Sequence, residues 1–200
     1  MPAPGDHDAR RRDVSVAVWN VLAARGFGGL TLRAVAAEMG ASTGLLTHYF
    51  PTKRALVRHA LEIAEERTDD RERRVPAEEG MEALRAALLD VLPLTAEATA
   101  MSRVWVSFWD GALGDDALAA RQKARYERWR ERLRRHVEAA QRAGRLPAAA
   151  DPGELAATAA AFAHGLVVQA LFAPDDFPPD LQIRLLDTFL SALGALSQNG

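Results

Sequence analysis

Residues 31–50, TLRAVAAEMGASTGLLTHYF, carry the side chains whose chemistry is most informative. The segment predicts two short helices on either side of a tight turn, with the polar face of the second helix free to enter a DNA groove. Small side chains at 42–44 allow the amino end of that helix to approach a phosphate closely, where free N–H groups and the helix dipole favour negative charge. Thr43 is able to hydrogen-bond to a base edge or to place its methyl group on a thymine methyl. The chemistry predicted here is noncovalent recognition of DNA.

The two helices of this segment are each marked by an apolar stripe and by signals at their ends. Thr31 is the predicted cap of the first helix, and Gly40 is predicted to end it in a left-handed conformation. Ser42 is the predicted N-cap of the second helix, which must stop before Pro51. An ordinary αα-hairpin without a DNA role has the same spacing and remains the alternative. The stripes are Leu32, Val35, Ala36 and Met39 in the first helix and Leu45, Leu46, Tyr49 and Phe50 in the second.

A supporting helix and a local excess of positive charge favour the DNA interpretation. Upstream of the pair, an apolar stripe from Val14 to Leu22 is followed by Gly26, so the segment belongs to a three-helix unit. Residues 1–60 contain seven arginines and one lysine against three aspartates and one glutamate, a formal charge of +4, whereas the whole chain is at −2. A basic head on an acidic body is the pattern expected of a nucleic-acid-binding domain joined to a domain with another role.

Composition excludes several other classes of protein. The 200 residues contain no cysteine, so a disulfide framework, a thiolate zinc site and a cysteine nucleophile are excluded. The five histidines are scattered and no HExxH, GxSxG, Walker or GxGxxG motif occurs, so we predict neither an enzyme nor a need for a metal or cofactor. The first ten residues lack an apolar core, and we expect no stretch of 18 apolar residues without a charge. The predicted compartment is therefore the cytoplasm.

The remainder of the chain predicts helices only. Alternation of period two is absent, and β-branched residues cluster only at Val167 and Val168, within a helical stretch. The predicted fold class is all-α, with about nine helices. Pro76 is the best candidate for a junction in the chain. The predicted domains are a flexible tail at 1–9, a helix-turn-helix head at 10–60 and a larger helical body at 61–200, and the arginines Arg10, Arg11 and Arg12 either reach a minor groove or remain in the tail.

Aromatic residues are concentrated between residues 105 and 129, which hold three of the four tryptophans and one of the two tyrosines. Spacings of three and four residues place at least two of these rings on one helix face. Two interpretations stay open, a conventional aromatic core and the wall of a ligand pocket between helices. The candidate pocket residues are Trp105, Phe108, Trp109, Tyr126 and Trp129, with Phe162, His164 and Gln169 from the next helix.

The last two predicted helices favour self-association. The helix at 152–173 carries small residues over much of its circumference, and the helix at 179–196 has a broad face of leucine and phenylalanine. Such a pair forms either the core of a monomer or half of an intermolecular four-helix bundle. We favour a homodimer, because a single helix-turn-helix reads too few base pairs to be selective. The candidate interface residues are Ala160, Leu181, Leu185, Phe189 and Leu193.

The order of residues in TLRAVAAEMGASTGLLTHYFPTKRAL, followed by a helical body of this length, resembles the TetR family of bacterial transcriptional regulators. The segments STGLLTHYF at 42–50, WVSFWD at 105–110 and HGLVVQALF at 164–172 are most similar to its choline-responsive BetI-type branch. The resemblance implies a ligand-responsive regulator, expected to be a repressor, that binds a partly palindromic operator as a homodimer. It also implies that the body binds a small-molecule effector that releases the operator.

The resemblance further implies which residues face the DNA. Thr43 and Gly44 would lie nearest to base edges, and Lys53 would meet a phosphate. The family's commonest recognition helix has an aromatic residue where Thr47 stands, so one aromatic phosphate contact is missing. The other DNA-facing positions are Thr31, Arg33, Ser42, Thr47, His48 and Tyr49, of which His48 and Tyr49 are expected to replace the missing aromatic contact.

The sequence is compatible with two classes of effector. If the resemblance extends to the body, aromatic faces hold a quaternary ammonium such as choline by cation–π attraction, with Asp110 or Glu127 as the countercharge. A flat apolar compound is the other class. The alternative function for the whole chain is a helical interaction or scaffold protein without a DNA role.

Overall fold

The computed structural model describes residues 4–70 and 79–195, with side chains from residue 12 onward. Within these residues the secondary structure is nine helices, which confirms the predicted all-α fold class. The helices are α1 (Pro4–Arg25), α2 (Leu32–Glu38), α3 (Thr43–Tyr49), α4 (Lys53–Asp70), α5 (Met81–Leu89), α6 (Ala96–Leu113), α7 (Asp116–Arg142), α8 (Pro152–Phe172) and α9 (Pro179–Ala195). The predicted junction at Pro76 lies outside the described residues.

The chain divides into two compact units. Of the described residues, unit 1 contains 4–70 and 103–111, and unit 2 contains 79–102 and 112–195. The middle of α6 is thus part of unit 1, whereas the sequence predicts a body that begins at residue 61 and includes all of α6. The backbone of α1 is helical from Pro4, a residue type that fits the first turn of a helix, within the stretch predicted to be a tail.

Unit 1 is built around α1, which packs against α2 and α4, while α2 packs against α3. Thr31 Oγ1 accepts a hydrogen bond from the Ala34 N–H at 3.0 Å and so caps α2, as predicted. Gly40 has a φ of +61°, the left-handed conformation predicted for the turn. Ser42 Oγ accepts from the Leu45 N–H at 3.4 Å and caps α3. These local signals set where both short helices begin and end. The fully buried core includes Val18, Leu22, Val35, Leu46 and Leu56.

The middle of α6 is fastened to unit 1 through Ser107. Its Oγ accepts a hydrogen bond from the Phe27 N–H at 3.0 Å and donates one to the Val104 carbonyl at 2.8 Å. Gly26, which precedes Phe27, has a φ of +63°, and a Cβ at this position would lie 2.7 Å from the Ser107 side chain. A glycine is therefore required at 26 both by the backbone and by the space available.

Unit 2 is organised around α7 and α8. α7 packs against α5 and α8, and α9 packs against α5 and α8. The side chain of Arg85 on α5 donates two hydrogen bonds to Asp187 on α9, at 2.6 and 2.9 Å, and this contact lowers the pKa of the Asp187 carboxyl. Because both side chains are partly exposed, the pair contributes at most about 1 kcal/mol. The fully buried core includes Leu84, Leu88, Leu133, Ala159 and Leu186.

The expectation that no long stretch is free of charge is wrong for α8. Residues 155–174 contain no aspartate, glutamate, lysine or arginine. By length and composition α8 is the one helix of the described chain able to cross a membrane, with a window of mean hydropathy 1.7 that is 39% buried. Its contacts with α5, α7 and α9 instead give it the position of a core helix in unit 2.

Candidate functional site

The side of α3 that faces away from the unit 1 core is the surface predicted to bind DNA. Leu46 is fully buried and Phe50 nearly so, which fixes the rotation of α3 about its axis. Eight of the nine predicted DNA contacts are exposed, and Tyr49 is partly buried. The exposed residues are Thr31, Arg33, Ser42, Thr43, Gly44, Thr47, His48 and Lys53.

The hydroxyl groups on this surface have distinct hydrogen-bonding roles. The oxygens of Thr31 and Ser42 accept from backbone N–H groups, which leaves their hydroxyl hydrogens available to an outside acceptor. A phosphate oxygen is such an acceptor. Thr47 differs, because its Oγ1 donates to the Thr43 carbonyl at 3.0 Å. Its hydrogen is used within the helix, so Thr47 offers lone pairs and a methyl group to a partner.

Gly44 is required neither by packing nor by backbone geometry. It is not among the glycines with a positive φ, and a Cβ added there would meet only Ser42 Oγ, at 3.8 Å. Glycine within a helix destabilises it by about 0.5–1 kcal/mol relative to alanine.

Positive charge accompanies this surface. α4 begins at Lys53, and the Ala55 N–H donates to Thr52 Oγ1 at 3.1 Å, which caps the helix. Arg33 on α2 and Arg54 on α4 are also exposed. The one acidic residue of α2, Glu38, accepts a hydrogen bond from the Asn20 amide at 2.9 Å through its carboxylate. The surface thus combines lysine and arginine with outward hydroxyls, a combination suited to phosphate.

The predicted pocket residues fall into two groups, one in each unit. In unit 1 the Phe108 ring lies 4.9 Å from the Phe27 ring and 6.1 Å from the Trp105 ring, measured between centroids. Trp105 Nε1 donates to Thr68 Oγ1 at 3.0 Å. Phe108 and Trp105 are buried, while Trp109 is partly buried. These contacts place Trp105 and Phe108 in an aromatic core of unit 1.

In unit 2 the imidazole of His164 on α8 packs against two rings of α7. Its centroid lies 5.1 Å from Tyr126 and 4.9 Å from Trp129. Burial lowers the pKa of His164 to about 4, and the positive charges of Arg125 and Arg130 add to the effect. The imidazole is therefore uncharged at neutral pH. The other predicted pocket residues of this unit lie apart from these rings, since Phe162 stacks on Phe189 at 4.2 Å and Gln169 is exposed.

Sequence reasoning missed Gln122 as a candidate functional residue. It is 8% exposed, and neither its Oε1 nor its Nε2 has a hydrogen-bond partner among the described residues. Gln122 lies one helical turn before Tyr126, on the same face of α7. The signal in the sequence was a glutamine in an otherwise apolar and aromatic stripe. A buried amide without a partner is costly, so this side chain calls for a functional explanation.

The residues predicted at a dimer interface are not equally accessible. Ala160 is 5% exposed, because it faces the interior of unit 2. The predicted α9 residues are partly buried, namely Leu181, Leu185, Phe189 and Leu193. The opposite face of α8 is exposed and carries no charge along Ala157, Ala161, Gly165 and Phe172, the last of which is 81% exposed.

Two family models match the chain in succession. The model for bacterial regulatory proteins of the tetR family matches residues 16–60. The model for the C-terminal part of BetI-type transcriptional repressors matches residues 80–195, which is more than half of the chain. Among the described residues, no three histidine, aspartate or glutamate side chains come close enough together to hold a metal ion.

Curated relatives agree with these matches. The transcriptional regulator BetI of Paraburkholderia phymatum is 28% identical over 202 residues, covering 98% of this chain and 99% of its own length. The transcriptional regulator PksA of Bacillus subtilis is 33% identical over 110 residues, and the match spans about half of each protein, 54% in both cases. These relatives are transcriptional regulators rather than enzymes.

Solved structures share the fold. A transcriptional regulator from Saccharomonospora viridis, determined in complex with choline, has a TM-score of 0.78 at 21% identity and covers 92% of this chain and 96% of its own. A transcriptional regulator from a Rhodococcus species has a TM-score of 0.70 at 25% identity, with coverages of 91% and 94%.

Proposed function

Because the chain belongs to the BetI-type repressors of the TetR family of bacterial transcriptional regulators, we propose that the exposed side of α3 is the surface that reads its operator. Regulators of this family bind operator DNA as homodimers and respond to a small-molecule effector. The chain is accordingly a ligand-responsive transcriptional regulator. Its relatives act by binding, and we infer that it has no catalytic role and works in the cytoplasm.

The observation that carries the assignment of the DNA surface is Gly44. A glycine that no contact and no backbone angle requires, at the amino end of an exposed helix, is explained by close approach of a duplex. Thr43 lies beside it and reads base edges. Thr47, Ser42 and His48 complete the face that enters the major groove.

Phosphate contacts flank this face. Lys53 at the start of α4 supplies a charge, and the free hydroxyl hydrogen of Thr31 supplies a donor at the start of α2. Arg33 adds a second charge nearby in the sequence. Tyr49, whose ring meets the His48 ring edge-on at 5.8 Å, holds that imidazole in place. We propose residues 10–60 as the DNA-binding head and residues 61–200 as the effector-binding and dimerisation body, of which residues 103–111 pack in unit 1 with the head.

The dimer interface is formed by α8 and α9. The exposed face of α8 is uncharged, and its small residues allow a helix of a second copy to pack closely against it. Phe172 at the end of α8 is an exposed apolar side chain that the second copy would cover. The partly buried α9 residues Leu185 and Phe189 extend the same apolar surface. Two copies then present two recognition helices to half-sites about 34–36 Å apart.

The effector binds in unit 2 beside Tyr126, Trp129 and His164. A structural relative binds choline, and aromatic faces suit either a quaternary ammonium or a flat apolar compound. Release of the operator is a population shift. The effector must bind the DNA-incompetent arrangement more tightly than the competent one. Changing the ratio of incompetent to competent protein from 1:99 to 99:1 requires about 5.5 kcal/mol of differential affinity.

The two lysines of the chain provide a matched test of the DNA surface. Lys53→Ala removes a phosphate contact from each protomer, so it should weaken binding to operator and to random duplex alike. It should also reduce the magnitude of the slope of log K against log [salt] by about 2 per dimer. Lys123→Ala, on the exposed surface of α7, is the control and should leave both quantities unchanged. Thr43→Ala should instead alter the preference among operator sequences. Fluorescence anisotropy on the DNA upstream of the gene measures all three.

Two outcomes of that titration would contradict the proposal. If Lys53→Ala and Thr43→Ala both bind the operator like the unmodified protein, the DNA surface lies elsewhere. If the unmodified protein binds no duplex at all, the alternative of an interaction protein without a DNA role is favoured.

A further inference from the structure

We propose that Gln122 joins Tyr126, Trp129 and His164 as the effector site, and that the effector is a flat, uncharged aromatic molecule with an N–H and a C=O side by side on one edge. A cyclic amide has this edge. The inference rests on the proposed function, because it names the effector class of the same regulator. It also departs from the quaternary ammonium that the choline-bound structural relative suggests.

The edge of the effector is inferred from Gln122. A carboxamide presents one acceptor and one pair of donors, and here both Oε1 and Nε2 are buried without a partner in the part of the chain that the structure describes. The second buried glutamine of unit 2 behaves differently. Gln182 is 2% exposed, and its Nε2 donates to the Phe177 carbonyl at 2.8 Å, so that only its Oε1 lacks a partner among the described residues. A ligand that pairs its C=O and N–H with Gln122 satisfies the amide that the fold leaves open.

The flat shape is inferred from the rings one and two turns further along α7. Tyr126 and Trp129 share a face with Gln122, and both rings contact His164 at centroid distances of 5.1 and 4.9 Å. Aromatic rings in offset or tilted arrangements accept another flat ring in the same way. The effector edge at Gln122 therefore continues into an aromatic body between α7 and α8.

The absence of charge is inferred from the groups that act on His164. Burial keeps its imidazole neutral, and the charges that influence it are those of Arg125 and Arg130, both positive. Glu127, one of the two carboxylates expected to balance a cation, is exposed and lies 3.8 Å from Lys123, which offsets its charge. A quaternary ammonium beside His164 would be repelled, whereas an uncharged ring is not.

Thermal unfolding of the full-length homodimer tests the inference with three probes. These are 2-quinolinone, which carries the N–H and C=O pair, quinoline, which has the same rings without it, and choline. We expect 2-quinolinone to raise the Tm by several degrees in the unmodified protein and in Gln182→Leu. The shift should be absent in Gln122→Leu, and quinoline and choline should give none.

The variants are matched so that folding and binding separate. Gln122→Leu removes an unpaired buried amide and should unfold no earlier than the unmodified protein, whereas Gln182→Leu loses a hydrogen bond and should unfold earlier. If leucine prevents folding at 122, Gln122→Met keeps the unbranched shape and replaces it in the comparison. In addition, 2-quinolinone should weaken operator binding at least tenfold in the unmodified protein and not in the 122 variant.

The inference is overturned if 2-quinolinone gives no shift in the unmodified protein, if the shift persists in the 122 variant, or if choline gives the larger shift. Operator binding by the ligand-free protein, measured on the same preparation, keeps the two proposals apart. Normal operator binding without a 2-quinolinone shift overturns the effector class alone. Failure of the ligand-free protein to bind any duplex overturns the proposed function.

Discussion

The exposed faces of α3 and α8 are both built from small residues, yet they suit different partners. On α3 the small residues are mixed with hydroxyls and histidine, and Lys53 and Arg33 lie close by in the sequence. On α8 they form an uncharged row, with the exposed amide of Gln169 in it, that ends at Phe172. Small side chains permit close approach in both cases. We propose that the polar groups around them decide whether the partner is a phosphate backbone or a second protein surface.

A charge placed on the α8 face should have the largest effect. Ala161→Glu would bury a carboxylate without a partner at the proposed interface, which costs several kcal/mol. We expect the dimer to dissociate and operator affinity to fall more than 100-fold, since a single recognition helix reads only one half-site. Sedimentation equilibrium and operator titration measure the two effects.

Ala120→Glu on the exposed surface of α7 is the matched control for the α8 variant, with the same change in charge. It should remain dimeric and bind the operator normally. A dimeric Ala161→Glu protein would show that the two exposed faces do not differ in the way argued here.

The side of α8 that packs against α7 differs from its exposed face, because it carries the titratable residue His164. Because burial depresses its pKa to about 4, the unfolded chain binds more protons than the folded chain between that pH and about 6.5. The stability contributed by the neutral imidazole is complete above that window and is lost as the pH falls through it. Between pH 7.5 and pH 5 the unmodified protein should lose about 2 kcal/mol per chain more than His164→Leu.

Chemical denaturation at matched protein concentrations measures that difference. Equal losses of unfolding free energy in the two proteins would mean that the His164 imidazole is exposed to solvent in the folded protein.

The parts of the fold that depend on neighbouring residues were predictable from the sequence. Caps at Thr31 and Ser42, the left-handed Gly40 and the periodic stripes are local signals, and they located the helices of the head and their ends. The exposure of the α3 face followed from the same periodicity, because burying Leu46 leaves the opposite side free.

The parts that depend on distant contacts were not predictable. Phe27 and Ser107 are 80 residues apart in the chain, and no periodicity indicates that the middle of α6 packs with the head. For the same reason the aromatic residues could not be sorted into two groups. Gln122 was overlooked because its lack of a hydrogen-bond partner is a property of the packed structure.

The smallest of these changes acts on the α3 surface that is proposed to meet the duplex. Gly44→Ala adds one methyl group to the exposed side of α3, where the chain itself has room for it. Alanine restricts the unfolded chain, so the unfolding free energy should rise by about 0.4–1 kcal/mol. The same methyl group should obstruct the duplex and weaken operator binding about tenfold, or about 1.4 kcal/mol.

Gly111→Ala in α6 is the control, since a Cβ there meets nothing within 4 Å and its φ is not positive. It should raise stability without changing operator affinity. Operator titration of the two variants side by side is the decisive measurement. We expect a tenfold loss for Gly44→Ala alone. Operator binding by Gly44→Ala as tight as that of the unmodified protein would mean that the duplex does not approach α3 at residue 44.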